Sequence, residues 1–348
     1  MTADTVGGVF THAAELIAGL RERAVEVVLV TFGAAARPAQ RARIAEAAPA
    51  QWYESAGKLE WMSDPWDDLE VAQRWLLELE REHRPDVVHL NGFGHAAARW
   101  RAPVVVGAHS CVYSWWRAVH GRTPPAEWDR YRAWIRAGLD AADAVVAPTR
   151  AMLDALAREH GGGRGHRAVI HNGTSAPVAC APEKQPVVLA AGRLWDEAKN
   201  LALLADVATR MPPGTVRVAG DAGDRRADAH LTRLGMLDAE ELAAERRRAA
   251  VFAAPARYEP FGLSILEAAR DRCALVLGDI PSLREVWDDA ATYVAPGDAA
   301  TAAAVLARLL ADPAQTARLG ERAQRRSRRY GSGRMADRYR ELYELVAR

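Results

Sequence analysis

The stretch that most constrains the fold is Ala250-Val-Phe-Ala-Ala254 together with the turn and helix pattern that follow it, down to Ala269. Five apolar residues in a row suit a strand covered on both faces. Pro260-Phe261-Gly262 then predicts a tight entry to a helix whose apolar face begins at Leu263. In a parallel α/β sheet such a strand-to-helix turn lies at the carboxyl end of the strands, where ligands bind. The unpaired N–H groups around Gly262 and Leu263 would face an anion there. Glu259 stands just before the helix and Glu267 inside it, so each can accept hydroxyls from a different part of one ligand. That combination suits a sugar nucleotide better than a bare phosphate. On spacing alone the two acids fit equally well a first-turn charge and an exposed helix residue.

At 348 residues and 49% hydrophobic, the chain has enough apolar material for two domains with separate cores. Its 46 basic and 45 acidic residues nearly cancel, which removes a global field for nucleic acid or for an acidic membrane. No apolar run reaches transmembrane length, and Met1-Thr-Ala-Asp-Thr5 lacks the basic and apolar regions of a signal peptide. The expectation is a soluble, cytoplasmic protein, with self-association left open. Cys111, Cys180 and Cys273 are widely spaced and odd in number, giving neither a disulfide framework nor clustered metal ligands. His109 stands near Cys111, but a plain thiol is the better reading than a nucleophile.

Alternating strands and helices fill the first half. Met1 to Thr5 gives a very short strand, Gly7-Gly8 the turn, and Val9 to Leu20 a helix. Strands are predicted at Val25 to Thr31, Asp86 to Leu90, Pro103 to Gly107 and Asp143 to Ala147. The loops at their ends hold Leu90-Asn91-Gly92-Phe93-Gly94-His95 and Gly107-Ala-His109-Ser110. Trp128, Tyr131 and Trp134 make one helical stripe, read as packing. Trp115 and Trp116, read as loop residues, fit either the core or a ring-stacking wall. Thr149 caps a helix that Gly161 ends, and Ala168 to Ile170 closes the first sheet before a junction with Pro177, Pro182 and Pro186.

The second half restarts with a strand at Pro186 to Ala191 and then Gly192-Arg193-Leu-Trp195-Asp-Glu197-Ala-Lys199. An Arg and a Lys at a strand end can neutralise a diphosphate. A strand at Thr215 to Ala219 leads to Asp221 and Gly223-Asp224, whose spacing is wrong for a metal-binding carboxylate pair, so no metal is expected. Asp238-Ala-Glu-Glu241 reads as a capping box. Arg270-Asp271-Arg272 puts three charges at the end of the Glu267 helix, and helices finish the chain at Ala299 to Leu310, Pro313 to Arg329 and Arg334 to Val346.

Taken in order, Gly7-Gly8, His109, Asn172-Gly173, Gly192-Arg193 with Lys199, the Glu259-x7-Glu267 pattern around Phe-Gly-Leu, and Gly278-Asp279-Ile-Pro-Ser-Leu-Arg-Glu285 resemble the retaining glycosyltransferases of family 4, also called glycosyl transferases group 1. The resemblance implies the GT-B architecture, two Rossmann-like domains facing each other across a cleft. It places an acceptor-side domain at 1–177, a nucleotide-sugar domain at 178–330, and a terminal helix at 331–348 that packs back toward the first. It implies transfer of a hexosyl group from a nucleoside diphosphate sugar to an acceptor hydroxyl, without metal or other cofactor. Arg193, Lys199, Phe261, Gly262 and Leu263 would hold the diphosphate, Glu259 the sugar and Glu267 the ribose. Gly7 and Gly8 would close near the donor phosphates, and His109 would point at the transferred sugar. Lys199 stands one residue further from Arg193 than the family pattern has it. His95, Trp115 and Trp116, with Arg117 beside them, are the acceptor-side candidates, and the expected acceptor is a small saccharide or a saccharide-bearing natural product. An inverting transferase or an epimerase, with His109 or His12 as base, and a noncatalytic sugar-nucleotide sensor are the alternatives.

Overall fold

The computed structural model describes residues 1–178, 183–221 and 230–348, so Cys180, Pro182 and the Gly223-Asp224 pair lie outside the described residues. The chain divides into two compact units, residues 1–175 with 332–348, and residues 176–331.

In the first unit the order is β1 (Thr2–Asp4), α1 (Gly8–Arg21), β2 (Val28–Phe32), α2 (Pro38–Ala47), β3 (Gln51–Glu54), α3 (Trp66–His83), β4 (Val88–Leu90), β5 (Val104–Gly107), α4 (Val112–His120), α5 (Asp129–Ala141), β6 (Ala144–Ala147), α6 (Arg150–His160) and β7 (His166–Val169). The second unit has β8 (Gln185–Ala191), α7 (Leu201–Ala208), β9 (Val216–Ala219), β10 (Thr232–Gly235), α8 (Ala239–Arg248), β11 (Ala249–Ala254), α9 (Leu263–Arg270), β12 (Ala274–Gly278), α10 (Pro281–Trp287), β13 (Thr292–Val294), α11 (Ala299–Ala311) and α12 (Pro313–Ser327). The last helix, α13 (Ser332–Val346), belongs to the first unit, where Gly19 of α1 lets it approach so closely that an added Cβ would lie 2.7 Å from the Cβ of Ala336.

The second unit holds one parallel sheet in the order β10-β9-β8-β11-β12-β13, so direction of winding reverses between β8 and β11. Both faces are covered, and the apolar runs show how. Val188, Val251, Ala253 and Val276 pack on one side with Leu203, Leu204 and Leu306. Their neighbours Leu189, Phe252, Leu275 and Leu277 pack on the other with Ile265, Leu266 and Trp287. Alternate strand residues thus feed two cores, which is why these strands read as continuous apolar runs.

The first unit winds the same way, with β3-β2-β1 in one ladder and β4-β5-β6-β7 in another, all parallel. Asn91, just past β4, joins the two ladders. Its backbone N–H donates to Thr2 Oγ1 at 3.0 Å and its side-chain amide donates to the Thr2 carbonyl at 2.7 Å.

Several local expectations hold. Thr149 accepts from Met152 N at 3.1 Å, and Asp238 and Glu241 form their reciprocal capping box. Two are corrected. Gln51–Glu54 is a strand, although its alternation of polar and aromatic residues hides it, and Val112–His120 is a helix, so Trp115 and Trp116 are helical residues and not loop residues. The charged triplet Arg270-Asp271-Arg272 is absorbed by partners. Arg270 donates to the carbonyls of Ala176 and Tyr330, Asp271 accepts from Arg246 at 2.8 Å, and Arg272 donates to Gln324 at 3.1 Å.

Candidate active site

The reversal between β8 and β11 makes the loops after these two strands diverge, and a crevice opens where they leave the sheet. One side chain and one backbone bond frame it. The Arg257 N–H donates to the Ala198 carbonyl at 2.9 Å, tying one loop to the other. Asn200, buried and in the left-handed region at φ 60°, donates to the carbonyls of Pro255 at 2.9 Å and Pro296 at 2.8 Å. Its amide thereby clamps the loops after β8, β11 and β13.

Within this frame Lys199 and Glu259 meet, with Nζ 2.5 Å from Oε2 and side-chain exposures of 25% and 14%. Lys199 ends a short 3-10 turn at Glu197–Lys199, capped by Asp196 accepting from Ala198 N at 2.9 Å. Arg193 pairs with the buried Asp196 at 3.1 Å and lies over the ring of Trp195 at 5.5 Å. The other oxygen of Glu259 accepts from Phe261 N at 3.4 Å, and the Glu259 carbonyl accepts from Ser282 Oγ at 2.6 Å.

Gly262 then turns the chain into α9 at φ 89° and ψ 71°, a conformation that costs a Cβ-bearing residue energy, and an added Cβ would lie 2.6 Å from Ile265 Cδ1. No side chain among the described residues caps α9, so its first-turn amides keep their dipoles for a ligand. Phe261 is buried against Tyr330 at 5.6 Å and anchors the turn. Glu267, one helical turn further, accepts from Arg246 at 3.0 Å.

In the first unit neutral rings gather at the ends of β1, β4 and β5. Gly7 begins the entry to α1 at φ 82°, and Gly8 is its first residue. One turn along, His12 places its ring 4.5 Å from that of His109, which follows β5. His109 Nε2 is 2.7 Å from Asn91 Oδ1, and burial pushes its pKa down to about 4. His12 and His89 are buried and are held well below the ordinary imidazole value, first by burial and then by neighbouring imidazoles or the amino terminus. His89 Nδ1 lies 2.7 Å from the Tyr343 hydroxyl of α13.

His95 stands apart from this group. It stacks on Phe32 at 6.3 Å and meets the edge of Trp134 at 5.5 Å, and burial lowers its pKa to about 4. Its loop is held by Glu60, which accepts from Phe93 N at 3.2 Å, Gly94 N at 3.3 Å and Trp134 Nε1 at 3.1 Å. Burial raises the Glu60 pKa, and these three donors oppose the rise. Glu60 carries no motif, and only its place in the aromatic, acidic stretch from Gln51 to Trp66 signals it. Trp115 and Trp116 pack edge to face at 5.9 Å and flank His120 at 5.4 and 4.8 Å. Arg117 turns away to Glu159 at 2.5 Å, so it does not lend charge to the two tryptophans. Cys111 caps α4 by accepting from Ser114 N at 3.4 Å, and burial pushes its thiol up to about 11, the profile of an inert thiol.

Comparison with known proteins gives the context. The profile of Glycosyltransferase Family 4 matches residues 6–176, and that of Glycosyl transferases group 1 matches residues 176–326. The chain belongs to this glycosyltransferase family. Among curated relatives it is 30% identical over 285 residues to the glycogen synthase of two Mycobacterium tuberculosis strains, a match covering 72% of this chain and 66% of the relative. The matched region thus spans just under two thirds of the relatives' own length.

Among solved structures, sucrose-phosphate synthase from Thermosynechococcus elongatus aligns with a TM-score of 0.79 at 20% identity, covering 98% of this chain and 95% of that one. Anabaena HepE in complex with UDP and glucose aligns with a TM-score of 0.75 at 18% identity, covering 99% and 98%. At such identities the likeness concerns the fold, two Rossmann-like α/β domains of the GT-B architecture. Among the described residues of this glycosyltransferase no group of three or more His, Cys, Asp or Glu could hold a metal ion, and no helix is long and apolar enough to cross a membrane.

Proposed function

We propose that this glycosyltransferase moves a hexosyl group from a nucleoside diphosphate sugar to an acceptor hydroxyl with retention of anomeric configuration. The observation that carries the reading is the Lys199–Glu259 ion pair at 2.5 Å beside the uncapped start of α9, at the switch point of the carboxy-terminal sheet. The ammonium of Lys199, the guanidinium of Arg193 and the α9 amides stabilise negative charge growing on the departing diphosphate, so no metal is required. Glu259 accepts hydroxyls of the sugar, and Glu267, oriented by Arg246, accepts those of the ribose. Gly7 and Gly8 close near the phosphates. The carboxy-terminal unit is the nucleotide-sugar domain and the amino-terminal unit the acceptor side.

Both carboxylate oxygens of Glu259 are engaged, one by Lys199 and one by Phe261 N–H, which lowers its worth as a covalent nucleophile. The reading favours front-face substitution, in which the leaving diphosphate takes the proton of the incoming hydroxyl. An inverting or epimerising reaction needs a base in the amino-terminal unit. His109, with a pKa of about 4, and the fully buried His12 are poor bases at neutral pH, which supports the retaining scheme. His109 instead orients the transferred sugar.

For the acceptor, Trp115, Trp116 and His95 are the wall candidates, and a small saccharide or saccharide-bearing natural product suits aromatic stacking. UDP and glucose in HepE are properties of that protein. A panel of nucleoside diphosphate sugars, with and without acceptors, tests the proposal by diphosphate release. No release from any donor would leave only a binding role.

A further inference from the structure

The amide of Asn91 makes two hydrogen bonds that settle its orientation. Nδ2 donates to the Thr2 carbonyl at 2.7 Å, an oxygen that can only accept. Oδ1 is therefore the atom that meets His109 Nε2 at 2.7 Å, and an oxygen lone pair there requires a proton on that nitrogen. The same side of the amide faces β4 and β5. A Cβ added to Gly107 would lie 2.4 Å from Asn91 Oδ1 and 3.1 Å from both His109 Nε2 and His89 Nε2, so these polar atoms converge over one glycine. His89 has its other nitrogen 2.7 Å from the Tyr343 hydroxyl.

We propose that Asn91 is a positioning residue that holds neutral His109 in its Nε2–H tautomer, leaving Nδ1 to act only as an acceptor toward a hydroxyl of the transferred sugar. The inference rests on the reading that His109 serves the donor sugar, while the tautomer itself rests on the Thr2, Asn91 and His109 geometry alone. The groups facing His109 agree with a neutral ring. His12 on α1 lies 4.5 Å away centroid to centroid, His89 on β4 sits beside the shared amide oxygen, and neither brings a negative charge. Burial pushes the His109 pKa down to about 4, so an uncharged ring with one defined acceptor is the form present near neutral pH. An acceptor-only nitrogen accepts a hydrogen bond from a sugar hydroxyl and fixes that hydroxyl's rotor, which a freely exchanging imidazole would not do.

The test is nitrogen-15 NMR of the full chain with labelled histidine, which reads protonation at each ring nitrogen directly. The expected wild-type signal shows His109 protonated at Nε2, bare at Nδ1, and unchanged between pH 8 and about pH 5. The Nδ1–H tautomer, or an even mixture, overturns the proposal without any variant having to fold. In Asn91→Asp, the carboxylate is expected to raise the His109 pKa into the measured range, and an unmoved pKa in a folded variant counts against the contact. In Asn91→Leu the tautomer is expected to become mixed, with kcat reduced about tenfold and donor KM little changed. If His109→Ala impairs turnover while Asn91→Leu does not, the positioning role is overturned. If His109→Ala also leaves turnover intact, the failure belongs to the assignment of His109 to the sugar.

Discussion

The two units wind in the same order, yet gather opposite chemistry at the ends of their strands. At the ends of β8 and β11 stand Lys199, Arg193, Glu259 and an uncapped helix start, with the lysine and first glutamate still partly exposed. At the ends of β1, β4 and β5 stand His12, His89, His109 and Asn91, two of the histidines almost fully buried and all three neutral at physiological pH. The difference teaches that an open sheet supplies the place and not the chemistry. One set of strand ends carries charges, and the other carries neutral rings and an amide.

The contrast breaks most visibly at Lys199. Lys199→Ala leaves Glu259 without its cation beside an anion site, and turnover is expected to fall about 100-fold or more with the fold intact by circular dichroism. Unchanged donor kinetics in that variant would remove the charged crevice from the mechanism. His109→Ala is expected to cost less, about tenfold to 100-fold in kcat, because a hydrogen bond is lost and no charge is stranded. An effect larger than that of Lys199→Ala would reverse the ranking of the two sets of strand ends.

The contrast also predicts pH behaviour. Burial lowers the pKa values of His12, His89, His95 and His109 from the ordinary 6.5, so the unfolded chain binds protons first. Stability from these groups is complete above about pH 6.5 and is lost as the pH falls from there toward about 4. Hydrogen exchange is expected to show amides of α1, β4 and β5 losing protection before those of β8 and β11 between pH 7 and pH 5. Loss in the opposite order would contradict the assignment of neutral buried imidazoles to the first unit.

Smaller effects sharpen the picture. Trp115→Ala and Trp116→Ala are expected to raise the acceptor KM by about threefold to tenfold while donor affinity stays constant, the range of an aromatic contact. Normal acceptor kinetics in both folded variants would return the pair to simple packing with His120. The smallest effect is expected from excess chelator, which should leave turnover unchanged because protein charges occupy the role of a cation. Loss of activity restored by magnesium or manganese would refute this.

The turn after β11 is legible because its residues are consecutive in sequence, whereas its meeting with Lys199 is not. The apolar run of β11, the Pro260-Phe261-Gly262 turn and Glu259 are local, and the capping box at Asp238 is local too. The parts that stayed hidden depend on distant partners. Asn91 acquires its meaning from Thr2 and His109, Glu60 from Phe93, Gly94 and Trp134, and Arg270 from Ala176 and Tyr330. Strand β3 was hidden because Gln51-Trp-Tyr-Glu54 has exposed ends and partly buried rings, with no apolar run. The α4 helix was misread because Trp115 and Trp116 cannot share one face. The structure lets Trp116 and Trp115 both meet His120 at the helix end.

Retaining hexosyl transfer driven by the charges at the ends of β8 and β11 is the reaction we propose. Its most direct measurement is proton NMR of the first-formed product from an α-linked nucleoside diphosphate hexose, in chelator, with the wild type and Lys199→Ala run side by side. An α-linked product is expected from the wild type, with nucleoside diphosphate released in equal amount, and a strongly slowed reaction of the same stereochemistry from the variant. A β-linked product, or equal rates from the two proteins, would contradict it.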